Sequence, residues 1–198
     1  MALTIYGQTA SRTSRVLWCA KELGLAYEQI PVNQRVGETR TPEHLKLNPN
    51  GHIPVIKDGD LVLWESLAIN LYLVKKHGGP LAPKTIEDEG RALMWSMWAL
   101  TEVEPHGGLM LQHTVNLPED KRNPALVANA REALKAPLAV LEGALSKSAY
   151  LLGPAFTIAD LNVASVVSTL PRVKYDFTPY PKVSAWLKQC TQRPAAAA

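Results

Sequence analysis

Two clusters of residues carry the chemistry that can be read from this chain. The first is Thr9-Ala10-Ser11-Arg12-Thr13-Ser14, four hydroxyls in six positions, lying just before an amphipathic stretch. Thr13 or Ser14 suits the N-cap of a helix, where a hydroxyl oxygen accepts from an early amide. A hydroxyl beside a helix N-terminus also sits in partial positive charge, which favours a bound anion or thiolate. The second cluster is Glu65-Ser66. Ser66 is suited to capping the helix that follows. Free amides at such a start also make a carboxylate site, and Glu65 can receive an ammonium, so an α-amino acid group fits the pair.

Other residues are weighed against plain packing. Ile53-Pro54 stands where a loop enters a strand. Trans is the default; a cis bond would turn the backbone of residue 53 outward and free its N–H and C=O for an extended peptide. Trp95, Trp98, Glu102, His106, Met110 and His113 fall along one helical segment. Their spacing reads as a core stripe, with an edge that could line an apolar pocket, and the His106 to His113 interval does not make a helical metal pair. Thr157-Ile158-Ala159-Asp160 is a capping box with Asp for Glu, and Phe156 with Leu161 fits a hydrophobic staple. Its role is structural. No dinucleotide, P-loop, serine-hydrolase or H-E-x-x-H signature occurs.

These groups must be positioned by short elements. Strands are expected at 3–6, 27–31, 54–57 and 61–64, the last two joined through Asp58-Gly59-Asp60. Helices are expected at 15–23, stopped by Gly24, at 41–47 with Pro42 in the first turn, and at 66–77 before Gly78-Gly79-Pro80. From residue 86 the pattern is helical only, over about 87–114, 123–146, 158–170 and 181–191. An α/β domain over 1–79, a linker over 80–86 and an all-helical domain over 87–198 follow from this change of period.

Composition bounds the class. The 198 residues are 46% hydrophobic and 20% charged, which excludes disorder and a disulfide scaffold. Twenty-one basic against eighteen acidic side chains leave +3 without any block of like charge, so no nucleic-acid footprint is present. Two isolated cysteines, Cys19 and Cys190, point to a reducing, cytoplasmic setting. Neither a signal peptide nor a membrane span is expected.

Taken in order, the polar segment before Arg15-Val16-Leu17-Trp18, the Lys21-Glu22-Leu23-Gly24-Leu25 exit, Asn48-Pro49-Asn50-Gly51-His52-Ile53-Pro54, Glu65-Ser66, the Thr157 box and Pro181-Lys182-Val183-Ser184-Ala185-Trp186-Leu187 resemble the cytosolic glutathione transferase family. The segment before the first helix resembles that of serine-type, bacterial-like members. The resemblance implies a thioredoxin-like N-terminal domain, an all-α C-terminal domain, and a homodimer with its two-fold near the third and fourth helices. It implies glutathione as co-substrate, an electrophilic small molecule as second substrate, and no metal. By position, Pro54 would be a cis-proline and Ile53 would pair its backbone with the cysteinyl residue of glutathione. Glu65 and Ser66 would hold the γ-glutamyl group, with Arg40 and His52 near the glycyl carboxylate. Counting from Tyr6-Gly7 makes Ser11 the activating hydroxyl; counting back from Val16 lands on Ala10, which leaves Thr9 and Ser14 as rivals. The segment holds no cysteine, so mixed-disulfide chemistry is disfavoured. A glutathione-binding protein without catalysis, and a glutathione-dependent disulfide or peroxide reductase, are the alternatives on the same fold.

Overall fold

The computed structural model describes residues 3–197. Strands β1 (Leu3–Tyr6), β2 (Tyr27–Ile30), β3 (Val55–Asp58) and β4 (Leu61–Trp64) form one sheet in the order β2-β1-β3-β4. The β1–β2 pair is parallel and so needs a crossover, which helix α1 (Ser14–Glu22) supplies. β3 runs antiparallel to β1 and to β4, and the Asp58↔Leu61 pair leaves Gly59-Asp60 as a two-residue turn with Gly59 at φ 65°. Leu3 and Ile5 alternate inward from β1, while Val55 and Ile56 are both buried in β3.

α1 buries every residue from Arg15 to Ala20 and packs against α3 (Ser66–His77), where Asn70 Nδ2 donates to the Arg15 carbonyl at 3.3 Å. The last turn of α3 carries Lys75 and Lys76, cations that suit its negative pole, before Gly78 at φ 70°. Between β2 and β3, helix α2 (Pro42–Leu47) starts with proline in its first turn and Thr41 capping the His44 amide at 3.3 Å.

The remaining helices are α4 (Ile86–Trp98), α5 (Glu104–Leu111), α6 (Pro124–Ala133), α7 (Lys135–Leu145), α8 (Ile158–Val167), α9 (Thr169–Arg172) and α10 (Pro181–Thr191). All ten residues of α8 are buried, and α4, α5, α9 and α10 pack against it. Asn162 on α8 donates to Ser96 Oγ on α4 at 2.9 Å, and Ser96 passes its own proton to the Ala92 carbonyl at 2.7 Å. The single helix expected over 87–114 is interrupted by a widened turn, Ala99–Val103, because Pro105 lacks an N–H and its ring would strike the carbonyl four residues back. No described helix is long and apolar enough to cross a membrane.

The chain forms two compact units, one running through Ala82 and taking in the residues from Pro194 on, the other Pro83–Arg193. The sequence expectation grouped the closing residues with the helices. Instead the Pro194–Ala196 turn lies against α1, and Lys21 Nζ donates to the Ala197 carbonyl at 2.7 Å. Proline at 194 cannot extend α10, and the alanines beyond it carry no periodic signal that would assign them to either unit.

Candidate functional site

The strand register brings three of the expected segments to one end of the sheet. Tyr6 pairs with Val55, and Val55 with Trp64, so the last residue of β1, the first of β3 and the last of β4 stand in one row. Neighbouring strands are about 4.8 Å apart. The chain therefore leaves for Ser11, arrives from Ile53-Pro54 and leaves for Glu65-Ser66 within a span of about 10 Å.

Beyond β1, Gly7 turns the chain at φ 135° and donates its N–H to the Ile30 carbonyl at 2.9 Å. Gln29 on β2 gives its amide protons to the Gly7 carbonyl at 2.8 Å and to Thr9 Oγ1 at 3.3 Å. Thus pinned, the chain reaches Ser11 in extended conformation, φ −144° and ψ −172°, while Thr13 and Ser14 are already helical. Thr13 stands at the N-cap position before α1, as expected, but its side chain makes no cap hydrogen bond; Ser11 Oγ instead accepts the Thr13 N–H at 3.1 Å, so the capping hydroxyl is that of Ser11. Ser14 turns its hydroxyl back onto the Ser11 carbonyl at 2.9 Å, and Thr13 is fully buried. Ser11 is half-buried, and its proton is donated to the Gln8 carbonyl at 2.7 Å; Ala10 is exposed and carries no polar side chain.

Ile53-Pro54 is cis. The His52 carbonyl before it accepts from Asn48 Nδ2 and from His44 Nε2, each at 3.0 Å; a carbonyl cannot donate, so His44 carries its proton on Nε2. Asn48 also accepts the Asn50 amide at 3.0 Å, and Gly51 completes the turn at φ 62°. Among the described residues, neither the N–H nor the C=O of Ile53 enters a loop or turn hydrogen bond. Arg40 and His52 are both exposed, and a β-carbon at Gly51 would stand 2.6 Å from Arg40 Nη1, so the guanidinium lies directly on this loop. His44 and Asn48 were not singled out from sequence; the Asn-Pro-Asn-Gly turn chemistry was the available signal.

Glu65 occupies the N-cap of α3 at φ 74°, ψ 107°, and its carbonyl accepts from the Ile69 amide at 2.9 Å. Ser66 is therefore the first helical residue, buried, and not the cap expected of it. A non-glycine residue at positive φ costs on the order of 1–3 kcal/mol, and such strain collects at sites that bind. Glu65 itself is exposed.

Burial, with Glu22 nearby, pushes the Cys19 thiol well above its ordinary range, and Cys190 is buried and joined in no disulfide. On the long helical segment Trp95 and Met110 are buried, Trp98 and His106 half-buried and Glu102 exposed; Trp95 meets Trp98 edge-on at 5.0 Å. His113 Nδ1 accepts the Asn123 amide at 3.2 Å. Among the described residues no cluster of three or more His, Cys, Asp or Glu is placed to hold a metal ion.

The model of the glutathione S-transferase N-terminal domain matches residues 1–75, and that of the glutathione S-transferase C-terminal domain matches residues 107–194. The chain belongs to the glutathione S-transferase family. Glutathione S-transferase 4 of Zea mays is 34% identical over 206 residues, covering 98% of this chain and 90% of that protein. Glutathione S-transferase GstB of Escherichia coli K12 is 32% identical, covering 98% and 95%. The structure of the theta class glutathione S-transferase of Xanthomonas axonopodis pv. citri, solved with glutathione bound, superposes with a TM-score of 0.92 at 32% identity, covering 98% of this chain and 95% of that one. The four-stranded mixed sheet and the helical second unit are the glutathione S-transferase fold that the motif order implied.

Proposed function

We propose that this transferase binds glutathione along the row formed by Tyr6, Val55 and Trp64 and ionises its thiol with Ser11, so that the thiolate attacks an electrophilic small molecule. That row is the observation that carries the reading, because it gathers a helix-capping hydroxyl, an unengaged peptide backbone and a strained helix start. The γ-glutamyl ammonium pairs with Glu65 and its carboxylate with the start of α3 at Ser66. The cysteinyl residue exchanges main-chain hydrogen bonds with Ile53 ahead of Pro54. The glycyl carboxylate falls to Arg40, with His52 beside it.

A free thiol ionises near about 8.5, so roughly one molecule in thirty is thiolate at neutral pH. Lowering that value by about one unit, worth about 1.36 kcal/mol, raises the fraction to roughly one in four. A Ser11 proton aimed at sulfur, together with the positive pole of α1, supplies an effect of this size. Thiolate attack then forms a sulfur–carbon bond, and the leaving group departs with its electron pair. Association into a homodimer through α4, and a cytoplasmic setting in keeping with two cysteines outside any disulfide, complete the proposal.

The test is a pH titration of bound glutathione followed by the ultraviolet absorbance of its thiolate, with Ser11→Ala alongside. Ionisation well below the free value, abolished in Ser11→Ala with little change in the KM for glutathione, is the expected result. Ser11→Ala also removes a helix cap worth about 1 kcal/mol, so its stability is measured separately. One observation favours a second reading, a binding protein: the Ser11 proton is held by the Gln8 carbonyl at 2.7 Å. Glutathione that binds but titrates as it does in water would establish that reading and withdraw the catalytic one.

A further inference from the structure

Resting on the role given to Ser11 above, we propose that Thr13 is a positioning residue for thiol activation, its buried hydroxyl donating to Ser11 Oγ and polarising the proton that Ser11 gives to sulfur. Three groups surround Ser11 Oγ: the Gln8 carbonyl at 2.7 Å, Thr13 Oγ1 at 2.9 Å and the Thr13 amide at 3.1 Å. A hydroxyl has one proton and two acceptor sites. The Gln8 carbonyl only accepts, so it takes the Ser11 proton. The Thr13 amide only donates, so it fills one acceptor site. The remaining site is then filled by the proton of Thr13 Oγ1.

When sulfur takes the place of the Gln8 carbonyl as acceptor, the Ser11 proton rotates and both donors from Thr13 stay. Two donors on one oxygen strengthen the bond it donates, because hydrogen bonds in a chain polarise one another where water is excluded. Thr13 is fully buried, and the space for its hydroxyl is kept by Gly7, where a β-carbon would fall 2.1 Å from Oγ1. Gly7 and Thr13 are thus a matched pair, and Gln29 fixes Gly7 from β2.

The experiment uses the full chain, glutathione and a reactive aryl halide. Thr13→Val replaces the hydroxyl by a methyl group of the same shape; Thr13→Ser retains the hydroxyl. Thr13→Val is expected to raise the value at which bound glutathione ionises by about half a unit to one unit and to lower kcat at neutral pH about three- to tenfold, with the KM for glutathione nearly unchanged. Its kcat should rejoin that of the native chain at alkaline pH, where the thiol ionises unaided, and Thr13→Ser should behave as the native chain throughout. A purely structural Thr13 would lower kcat equally at every pH. Should Thr13→Val fail to fold, Thr13→Ala against Thr13→Ser carries the same comparison. If the hydroxyl-less variant ionises glutathione normally while Ser11→Ala does not, the Thr13 proposal is overturned and Ser11 stands. If Ser11→Ala also ionises it normally, both fall.

Discussion

A single hydrogen atom at residue 7 makes room for the hydroxyl pair of Ser11 and Thr13. At φ 135° Gly7 adopts a backbone that side chains disfavour, and a β-carbon there would also collide with Thr13 Oγ1. Gly7→Ala is therefore expected to lose about 2 kcal/mol or more in urea unfolding, from strain and overpacking together. Adding Thr13→Ala removes the collision but not the backbone cost, so the double variant should recover only part of the loss. Full recovery would show that φ at residue 7 carries no cost. The hydroxyl cluster itself was legible in the sequence, but its capping hydroxyl was misplaced by two or three residues. Cap preference ranks residue types, and the choice among neighbouring hydroxyls was made by Gly7 and by Gln29, a residue on another strand. Ser66 was misjudged as a cap for the same kind of reason. The strained turn at Glu65 starts α3 one residue earlier than a serine cap would, and nothing in its composition announces a positive φ.

At the scale of elements the helical half was read in place but not in continuity: strong 3.6-residue periodicity survives tertiary packing, yet the expected 87–114 divides into α4 and α5 and the expected 123–146 into α6 and α7. The segment expected at 181–191 is α10 itself, and Thr157 opens α8 with both halves of the capping box in place. The box does more than end a helix. Asp160 accepts from the amides of Leu151 at 2.9 Å and Thr157 at 3.0 Å and from Trp186 Nε1 at 3.0 Å, tying the preceding loop and α10 to the buried α8. Periodicity cannot show this, because the partners lie 9 and 26 residues away. Asp160→Ala leaves four donors, the Thr157 hydroxyl among them, without their acceptor, and at about 1–3 kcal/mol for each buried unsatisfied group the expected loss is about 3 kcal/mol or more. Chemical denaturation measures it; a loss under about 1 kcal/mol would mean that water replaces the carboxylate. Burial raises the Asp160 carboxyl above its ordinary 3.8, outweighing the hydrogen bonds that lower it. The folded chain thus holds that proton more tightly than the unfolded one. The stability this adds is complete below the unfolded value and fades as pH rises through the folded one, so Asp160 does not drive acid unfolding. Asp58 has the opposite sign: the Lys76 hydrogen bond at 2.5 Å holds it low, and its contribution is lost as pH falls.

At the scale of the whole molecule, the homodimer proposed above rests on what α4 leaves uncovered. Ala92, Trp95 and Ser96 point into the helical unit, yet Ile86, Leu93, Met94 and Met97 are 74%, 50%, 54% and 43% exposed. At 100° per residue these four lie within about one third of the helix circumference, so α4 has a second apolar face. In sequence the two faces merge, which is why the segment read as one core stripe around Trp95 and Trp98 and the outward face went unremarked. An apolar stripe on a long, otherwise polar-capped helix marks an association surface. In the homodimer proposed above, a second copy of the same chain, meeting it about a two-fold axis, would cover the stripe with the same stripe. Light scattering should accordingly give the native chain twice its 21.7 kDa mass at micromolar concentration. Leu93→Glu with Met94→Glu places four carboxylates in the proposed contact, two from each copy, and should give the single-chain mass with helical content unchanged by circular dichroism. A native chain that is already monomeric, or a double variant that still pairs, would remove α4 from the interface.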